Sequence, residues 1–365
     1  MAREPLLAVD DLHVRFGTER GHVYAVNGVS FDIAPGETLG IVGESGCGKS
    51  VTSLAILGIL GRNARVTNGR AMFGGRDLLS LEDEQLRSIR GKEIAMIFQD
   101  PMTSLNPVLT VGRQIREGLE THFGMERAQA DKRAAELLDQ VGIPSAKVRL
   151  KDYPHQFSGG MRQRAMIAMA LACEPKLLIA DEPTTALDVT IQAQILDLMR
   201  KLQQERGTAV ILITHDLGVV AGFCDVVHVM YAGRIVESGP ATAIYAETQH
   251  PYTAGLLGSV TRLDAAREDR LLPVRGTTPS LIDMPAGCAF HPRCDHVAAR
   301  CRVEAPEPAG ASVPHPTARA TPRPANREPD ATRRAPAAPP SGCGERRDVT
   351  ARMPAATDDS ARCSR

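Results

Sequence analysis

The chain has 365 residues, 43% of them hydrophobic, enough for one large α/β domain and an appendage. Lys and Arg total 43, as do Asp and Glu, so formal net charge is zero and no chain-wide field draws nucleic acid or anionic lipid. There is no tryptophan and aromatics make up 4%, which argues against a base-stacking surface.

The opening stretch, MAREPLLAVDDLHV, carries acidic groups early and lacks a long apolar core, so it does not read as a signal peptide. From residue 1 to about 246, short β-rich runs alternate with helical patterns and Gly-rich turns, the pattern of a parallel sheet flanked by helices. An apolar strand over 39–42 leads into Gly43, Glu44, Ser45, Gly46, Cys47, Gly48, Lys49 and Ser50, which fit G-x-x-x-x-G-K-[ST] at every required position. Glycines there let backbone N–H groups converge on phosphate oxygens. A helix expected over 51–60 and closed by Gly61 adds its positive dipole. Lys49 is expected to reach the β- and γ-phosphates of a nucleotide, and Ser50 to hold Mg²⁺.

Farther along, an apolar strand ends at Gln99, a neutral side chain able to bridge Mg²⁺ and water. Ser158-Gly159-Gly160 precedes a helical pattern and by itself reads as a plain N-cap. The strand over 176–181 delivers Asp181, expected to contact Mg²⁺ through water at the carboxyl edge of the sheet, and Glu182 follows as a candidate general base. Read alone, Asp181-Glu182-Pro183 is also an ordinary strand-to-turn exit. The strand over 211–214 delivers His215 to the same edge, where it is expected to sense the γ-phosphate or orient water. Apolar runs such as 51–60 and 209–213 are far shorter than a bilayer-spanning helix, so any membrane attachment is expected through a partner.

From about 250 to 307 comes a smaller Pro-broken segment holding Cys288, Cys294 and Cys301, with five and six residues between neighbours. In a cytoplasmic protein such thiols favour metal ligation over disulfides. Zinc with His291 or His296 is one candidate, and buried or free thiols are the plain alternative. After Val303 the chain has no Leu, Ile, Phe or Tyr, only Ala, Pro, Arg, Thr and Ser in abundance, and it reads as disordered.

Taken together, these residues resemble the ATP-binding subunits of ABC transporters over about residues 5–250. Phe157-Ser158-Gly159-Gly160-Met161 resembles the signature motif, Ala186-Leu187-Asp188 the D-loop, Gln99 the Q-loop and His215 the switch histidine, in the usual order. The resemblance implies a P-loop NTPase of ABC type, with a RecA-like core, an antiparallel β-subdomain and a helical subdomain. It implies ATP and Mg²⁺ as ligands, and Ser158, Gly159 and Gly160 facing the γ-phosphate bound by an opposite subunit. Phe16 matches the aromatic that stacks on adenine, with Tyr24 as the alternative. Met161 stands where Gln is common and Phe157 where Leu is usual, a variant resembling one of the two ATPases of peptide importers.

The stretches 98–107, 250–257 and 287–294 resemble the dipeptide and oligopeptide importer ATPases, whose features nickel, glutathione and some sugar importers share in part. The resemblance therefore implies an ATP hydrolase powering solute import, with peptide as the favoured cargo. It implies two transmembrane permeases, a second homologous ATPase subunit forming a heterodimer, and an extracytoplasmic substrate-binding protein, with no nucleic acid. The site of action is then the cytoplasmic face of the prokaryotic plasma membrane, reached peripherally through the permeases. A soluble ABC ATPase of repair or translation, or a non-enzymatic regulatory subunit, is the alternative. The expected boundaries are an ATPase domain over 1–248, a C-terminal extension over 249–308 and a tail over 309–365. That tail is either a lineage-specific disordered segment or the product of a shifted reading frame. Resemblance to the importer extension also implies a [4Fe–4S] cluster on Cys288, Cys294 and Cys301, with Cys343 as the fourth candidate ligand and Cys363 a more distant one.

Overall fold

A computed structural model describes residues 4–184, 189–259 and 274–310, with residues 309 and 310 described by their backbone alone. Asp188 of the expected D-loop, Cys343, and the tail beyond 310 lie outside the described residues.

The N-terminal strands β1 (Leu7–Thr18) and β2 (Gly21–Ile33) form a hairpin in which Leu7, Val9, Leu12 and Val14 turn inward. Next come β3 (Thr38–Val42), α1 (Lys49–Ile56), β4 (Ala64–Phe73), β5 (Arg76–Asp77) and α2 (Asp83–Ile89). Then β6 (Ile94–Ile97) leads into the helical region, α3 (Pro101–Ser104), α4 (Val111–Phe123), α5 (Arg127–Gln140), α6 (Ala146–Arg149) and α7 (Gly159–Leu171). The chain returns to strands with β7 (Leu177–Asp181), α8 (Val189–Arg206), β8 (Ala209–Thr214), α9 (Leu217–Phe223), β9 (Val226–Tyr231) and β10 (Arg234–Pro240). Beyond these lie α10 (Ala241–Ala246), α11 (Pro251–Gly258) and the two-residue β11 (Ala309–Gly310).

Two sheets result. The smaller is antiparallel, in the order β2-β1-β4-β5. The larger runs β11-β10-β9-β3-β8-β7-β6, with β9, β3, β8, β7 and β6 mutually parallel. Parallel strands covered on both faces read as continuous apolar runs, and β3, β7 and β8 are buried at every position. Their alternation feeds two cores. Val42, Leu178, Ala180, Val210 and Leu212 face the helical side, while Leu39, Ile41, Leu177, Ile179 and Ile211 face the antiparallel sheet. The helical side includes α4, α5 and α7, with Thr110 capping α4 and Gly124, at φ 62°, ending it. The α/β core is the one the sequence pattern predicts, and the antiparallel and helical subdomains are those the resemblance implies.

The helix after the Gly-rich loop differs from expectation. It starts at Lys49 and ends at Ile56, not Leu60, because Leu57 is its last half-turn and Gly58, at φ 65°, turns the chain out.

The passage into the C-terminal segment is tied to the sheet. Glu237 on β10 is buried, and its carboxylate accepts the backbone N–H groups of Gln249 at 2.7 Å and His250 at 3.1 Å. His250 then caps α11, its Nδ1 accepting from the Tyr252 N–H at 3.1 Å, and Pro251 occupies the first helical position. Cys288, Phe290 and Cys301 join the helical-side core, and β11, the first two residues of the segment read as tail, pairs with Glu237 and Ser238 of β10.

Candidate functional site

Strand β3 ends at Val42 and the Gly-rich loop begins. A Cβ at Gly43 would lie 2.2 Å from the Met230 carbonyl oxygen, and one at Gly48 would lie 2.3 Å from that of Ala25. Those two glycines allow the loop to press against β2 and β9. Gly46, at φ 79°, has nothing within 4 Å of its Cβ position, so the middle of the loop faces open space. Gly48 then hands over to α1, whose free N–H groups and dipole point at the loop's concavity.

Lys49 is 5% exposed, and its ammonium donates to the carbonyl oxygens of Gly43 at 2.7 Å and Glu44 at 3.0 Å. The cation is thus held across the mouth of the loop. Cys47 is buried, and desolvation raises its thiol above the ordinary value despite the neighbouring ammonium. Ser45 is exposed at the rim.

The carboxyl edges of β7 and β8 bring the polar residues to this loop. Ser50 Oγ donates to Asp181 Oδ1 at 3.0 Å. Burial raises Asp181 above the usual carboxylate range; Glu182 adds to that effect, while the Ser50 hydroxyl and Lys49 oppose it. A hydroxyl and an ionisable carboxylate in contact beside an anion-binding loop fit a hard, oxygen-seeking dication, which would hold the carboxylate ionised.

Glu182 leaves the strand in left-handed backbone conformation, at φ 47°, and its N–H is anchored to the Ile213 carbonyl at 2.9 Å. A non-glycine residue there is strained, and strain of this kind collects at functional sites. Its carboxylate is bracketed: Gln99 Nε2 donates to Oε2 at 3.0 Å, and His215 Nδ1 lies 3.4 Å from Oε1. Gln99, Asp181, Glu182 and His215, from three strand ends, therefore meet at one edge.

The Ser-Gly-Gly segment does act as a cap. Ser158 Oγ accepts from the Met161 N–H at 3.3 Å and starts α7. A Cβ at Gly159 would meet nothing within 4 Å among the described residues, and Ser158 is exposed, so this helix start presents itself outward. Phe157 is buried beneath it, with the Arg149 guanidinium 5.8 Å from its ring centre.

Phe16 sits on β1 opposite Val23 and Ala64, half-buried against the antiparallel-sheet core, whereas Tyr24 on β2 is 47% exposed. Cys288 and Cys301 are buried and Cys294 is half-buried, and the Cys288 N–H donates to the Cys301 carbonyl at 2.9 Å. Desolvation raises the thiols of Cys288 and Cys294. Among the described residues no group of three or more His, Cys, Asp or Glu is placed to hold a metal ion.

Sequence reasoning missed three residues that brace this site. Gln163 of α7, buried, donates from Nε2 to the Pro183 carbonyl at 2.6 Å, joining the Ser-Gly-Gly helix to the turn after Glu182. Tyr252 and Arg293 of the C-terminal segment reach Glu44 in the loop. Both lie in stretches, 250–257 and 287–294, that the sequence marked only by their resemblance to the importer extension.

Comparisons with known proteins agree with this geometry. The ABC transporter family matches residues 26–185, and the oligopeptide/dipeptide transporter C-terminal region matches residues 236–301. The chain is 54% identical over 301 residues to the oligopeptide transport ATP-binding protein OppD of Salmonella typhimurium, covering 82% of this chain and 89% of that one. It is 58% identical over 292 residues to the dipeptide transport ATP-binding protein DppD of Bacillus subtilis, covering 80% and 87%. Among solved structures, the dimeric ATP-binding cassette MJ0796 bound to ADP and phosphate superposes with a TM-score of 0.59 at 29% identity, over 64% of this chain and 98% of that one.

Proposed function

The chain belongs to the ABC transporter ATP-binding family, and from that premise we propose that it hydrolyses ATP to drive import of di- or oligopeptides. The observation that carries the catalytic part is the Glu182 carboxylate held between Gln99 and His215, beside Ser50–Asp181 and the lysine-bridged loop.

In this reading the loop of Gly43, Glu44, Ser45, Gly46, Cys47, Gly48, Lys49 and Ser50 receives the phosphates through backbone N–H groups and the Lys49 ammonium. Ser50, Asp181 and Gln99 would hold Mg²⁺, which when bound would neutralise phosphate charge. Glu182 accepts a proton from the water that attacks the γ-phosphorus; the bond from that phosphorus to the bridging oxygen breaks, and ADP leaves with the electron pair. Gln99 and His215 aim the carboxylate and the water, and Phe16 stacks on adenine.

Ser158 and Gly159, exposed at the start of α7, and the half-buried Gly160 would complete the site of a second, homologous ATPase subunit, a site to which Asp188, outside the described residues, would also contribute. ATP binding favours the closed pair, and hydrolysis releases it. No described helix is long and apolar enough to cross a membrane. In this reading, which the likeness to peptide-transport ATPases supports, two permeases anchor the pair at the cytoplasmic face and an extracytoplasmic binding protein delivers the peptide. The ATPase domain is taken as 1–248 and the extension as 249–308.

Iron–sulfur ligation by Cys288, Cys294, Cys301 and Cys343 is the finer cofactor reading. Its support is their spacing and the backbone link between Cys288 and Cys301. The described side chains do not form a ligand set, so no step of the mechanism runs through a cluster.

Reconstitution tests the proposal. Phosphate release should rise when the chain is combined with a second ATPase subunit and permeases, and rise again with peptide-loaded binding protein. Full turnover from an isolated monomer would remove the two-subunit reading, and indifference to peptide would remove the cargo.

A further inference from the structure

We propose that Arg293 and Tyr252, from the C-terminal segment, are positioning residues that set ATP affinity by holding and neutralising Glu44 in the phosphate loop; this rests on the reading of residues 43–50 as that loop. Arg293 meets the Glu44 carboxylate with both prongs of its guanidinium, Nη1 to Oε2 at 2.6 Å and Nη2 to Oε1 at 2.9 Å. This two-pronged form is the strong, geometrically specific one. Arg293 is 5% exposed at its side chain, so solvent screens the pair little.

The guanidinium has five N–H donors, and the structure uses all of them. Nε donates to the Arg275 carbonyl at 2.7 Å, the second donor of Nη2 to the Val274 carbonyl at 3.4 Å, and that of Nη1 to Tyr231 Oη at 3.4 Å. The rings of Tyr231 and Phe290 lie 5.8 and 5.9 Å from its centre. A side chain fixed on every donor is a rigid fork.

Glu44 is held at its backbone as well. Its N–H donates to Tyr252 Oη at 2.9 Å, and its carbonyl accepts from the Lys49 ammonium at 3.0 Å. Tyr252 is fully buried and packs on Tyr231, with ring centres 4.5 Å apart. One residue of the loop is therefore gripped by the C-terminal segment on two sides and by the phosphate-seeking lysine on a third.

Charge gives this grip a consequence for binding. A carboxylate in a loop built for a triphosphate repels that ligand and competes for Lys49. Paired with Arg293, Glu44 contributes no net charge and stays turned to the C-terminal segment. Removing Arg293 frees the carboxylate toward the nucleotide.

The test titrates ATP with magnesium into the purified full chain by calorimetry and measures KM and kcat in the assembled transporter. Arg293→Ala should raise the Kd and KM for ATP roughly ten-fold while kcat stays within about two-fold. Removing the carboxylate as well, in Glu44→Ala/Arg293→Ala, should return the Kd to within about three-fold of the parent, a rescue that lost packing would not give. A Kd unchanged in Arg293→Ala, or a double variant no better than the single, overturns the proposal. If Arg293→Ala does not fold, Arg293→Gln decides: it keeps a polar side chain and loses the charge, so a Kd raised roughly three-fold or more supports the clamp and an unchanged Kd overturns it. Lys49→Ala is the control for the underlying reading. Loss of ATP binding there with none in Arg293→Ala refutes the clamp alone, and ATP affinity unchanged by Lys49→Ala refutes the loop reading itself.

Discussion

Gln99 and His215 grip opposite oxygens of one carboxylate: the first donates to Glu182 Oε2 at 3.0 Å, and the second stands 3.4 Å from Oε1. The two come from different strands, so the carboxylate's direction is set by the sheet rather than by its own side-chain torsions. An amide cannot accept a proton from water as the proposed carboxylate base would. Glu182→Gln should therefore lower steady-state phosphate release in the assembled transporter by roughly 10²–10⁴-fold while ATP still binds. Turnover near that of the parent removes Glu182 as the base.

Gln163 offers a test from the other side of the same turn. Its amide satisfies the Pro183 carbonyl at 2.6 Å in a buried setting. Gln163→Leu keeps the volume and leaves that oxygen without its donor, which costs about 1–3 kcal/mol. Because Pro183 follows Glu182, hydrolysis should also fall while ATP affinity holds. Urea midpoints and single-turnover rates read the two effects separately. A stability loss with unaltered hydrolysis would mean the contact braces the fold and not the base.

His228 on β9 gives a pH signature. It is buried beside Phe31, its Nδ1 has no hydrogen-bond partner among the described residues, and desolvation pushes its pKa from 6.5 down to about 4. The unfolded chain therefore takes up a proton between pH 6.5 and 4 that the folded chain refuses. Stability from this group is fully present above the unfolded value and is lost as pH falls across that window, by about 3 kcal/mol. Below about 4 both states are protonated and the loss levels off. His228→Leu should flatten this part of the acid limb in urea denaturation of the full chain. An acid limb of unchanged slope would assign it to carboxylates elsewhere.

The thiols are tested by composition. If Cys288, Cys294, Cys301 and Cys343 ligate a cluster, the anaerobically purified chain carries iron and sulfide, and Cys343→Ser lowers both. Iron and zinc both absent at stoichiometric levels ends the metal reading.

What the sequence made legible was local. The loop of residues 43–50 announces itself because strand, glycines, lysine and helix are contiguous, and Asp181, Glu182, His215 and Gln99 were found because each follows an apolar strand. Their meeting follows from parallel strands ending at one edge. The early end of α1 was hidden, since the apolar run of 54–57 resumes at 59–60 and only the left-handed backbone at Gly58 marks the turn. Arg293 was invisible for a different reason. A lone arginine near a cysteine reads as surface, and nothing local says that its carboxylate partner lies 249 residues away. Gln163 likewise looked like one more polar residue in a motif, because its partner is a backbone carbonyl 20 residues on.

That separation has a consequence for synthesis. Glu44 leaves the ribosome long before Arg293, and at ordinary elongation rates a separation of 249 residues takes about 12–50 s to make. Throughout that interval the nascent loop carries its carboxylate without the guanidinium that turns it aside. The nucleotide site thus begins near the start of translation and is completed only when the C-terminal segment emerges, so a stalled or truncated chain would bind ATP less tightly than the finished one.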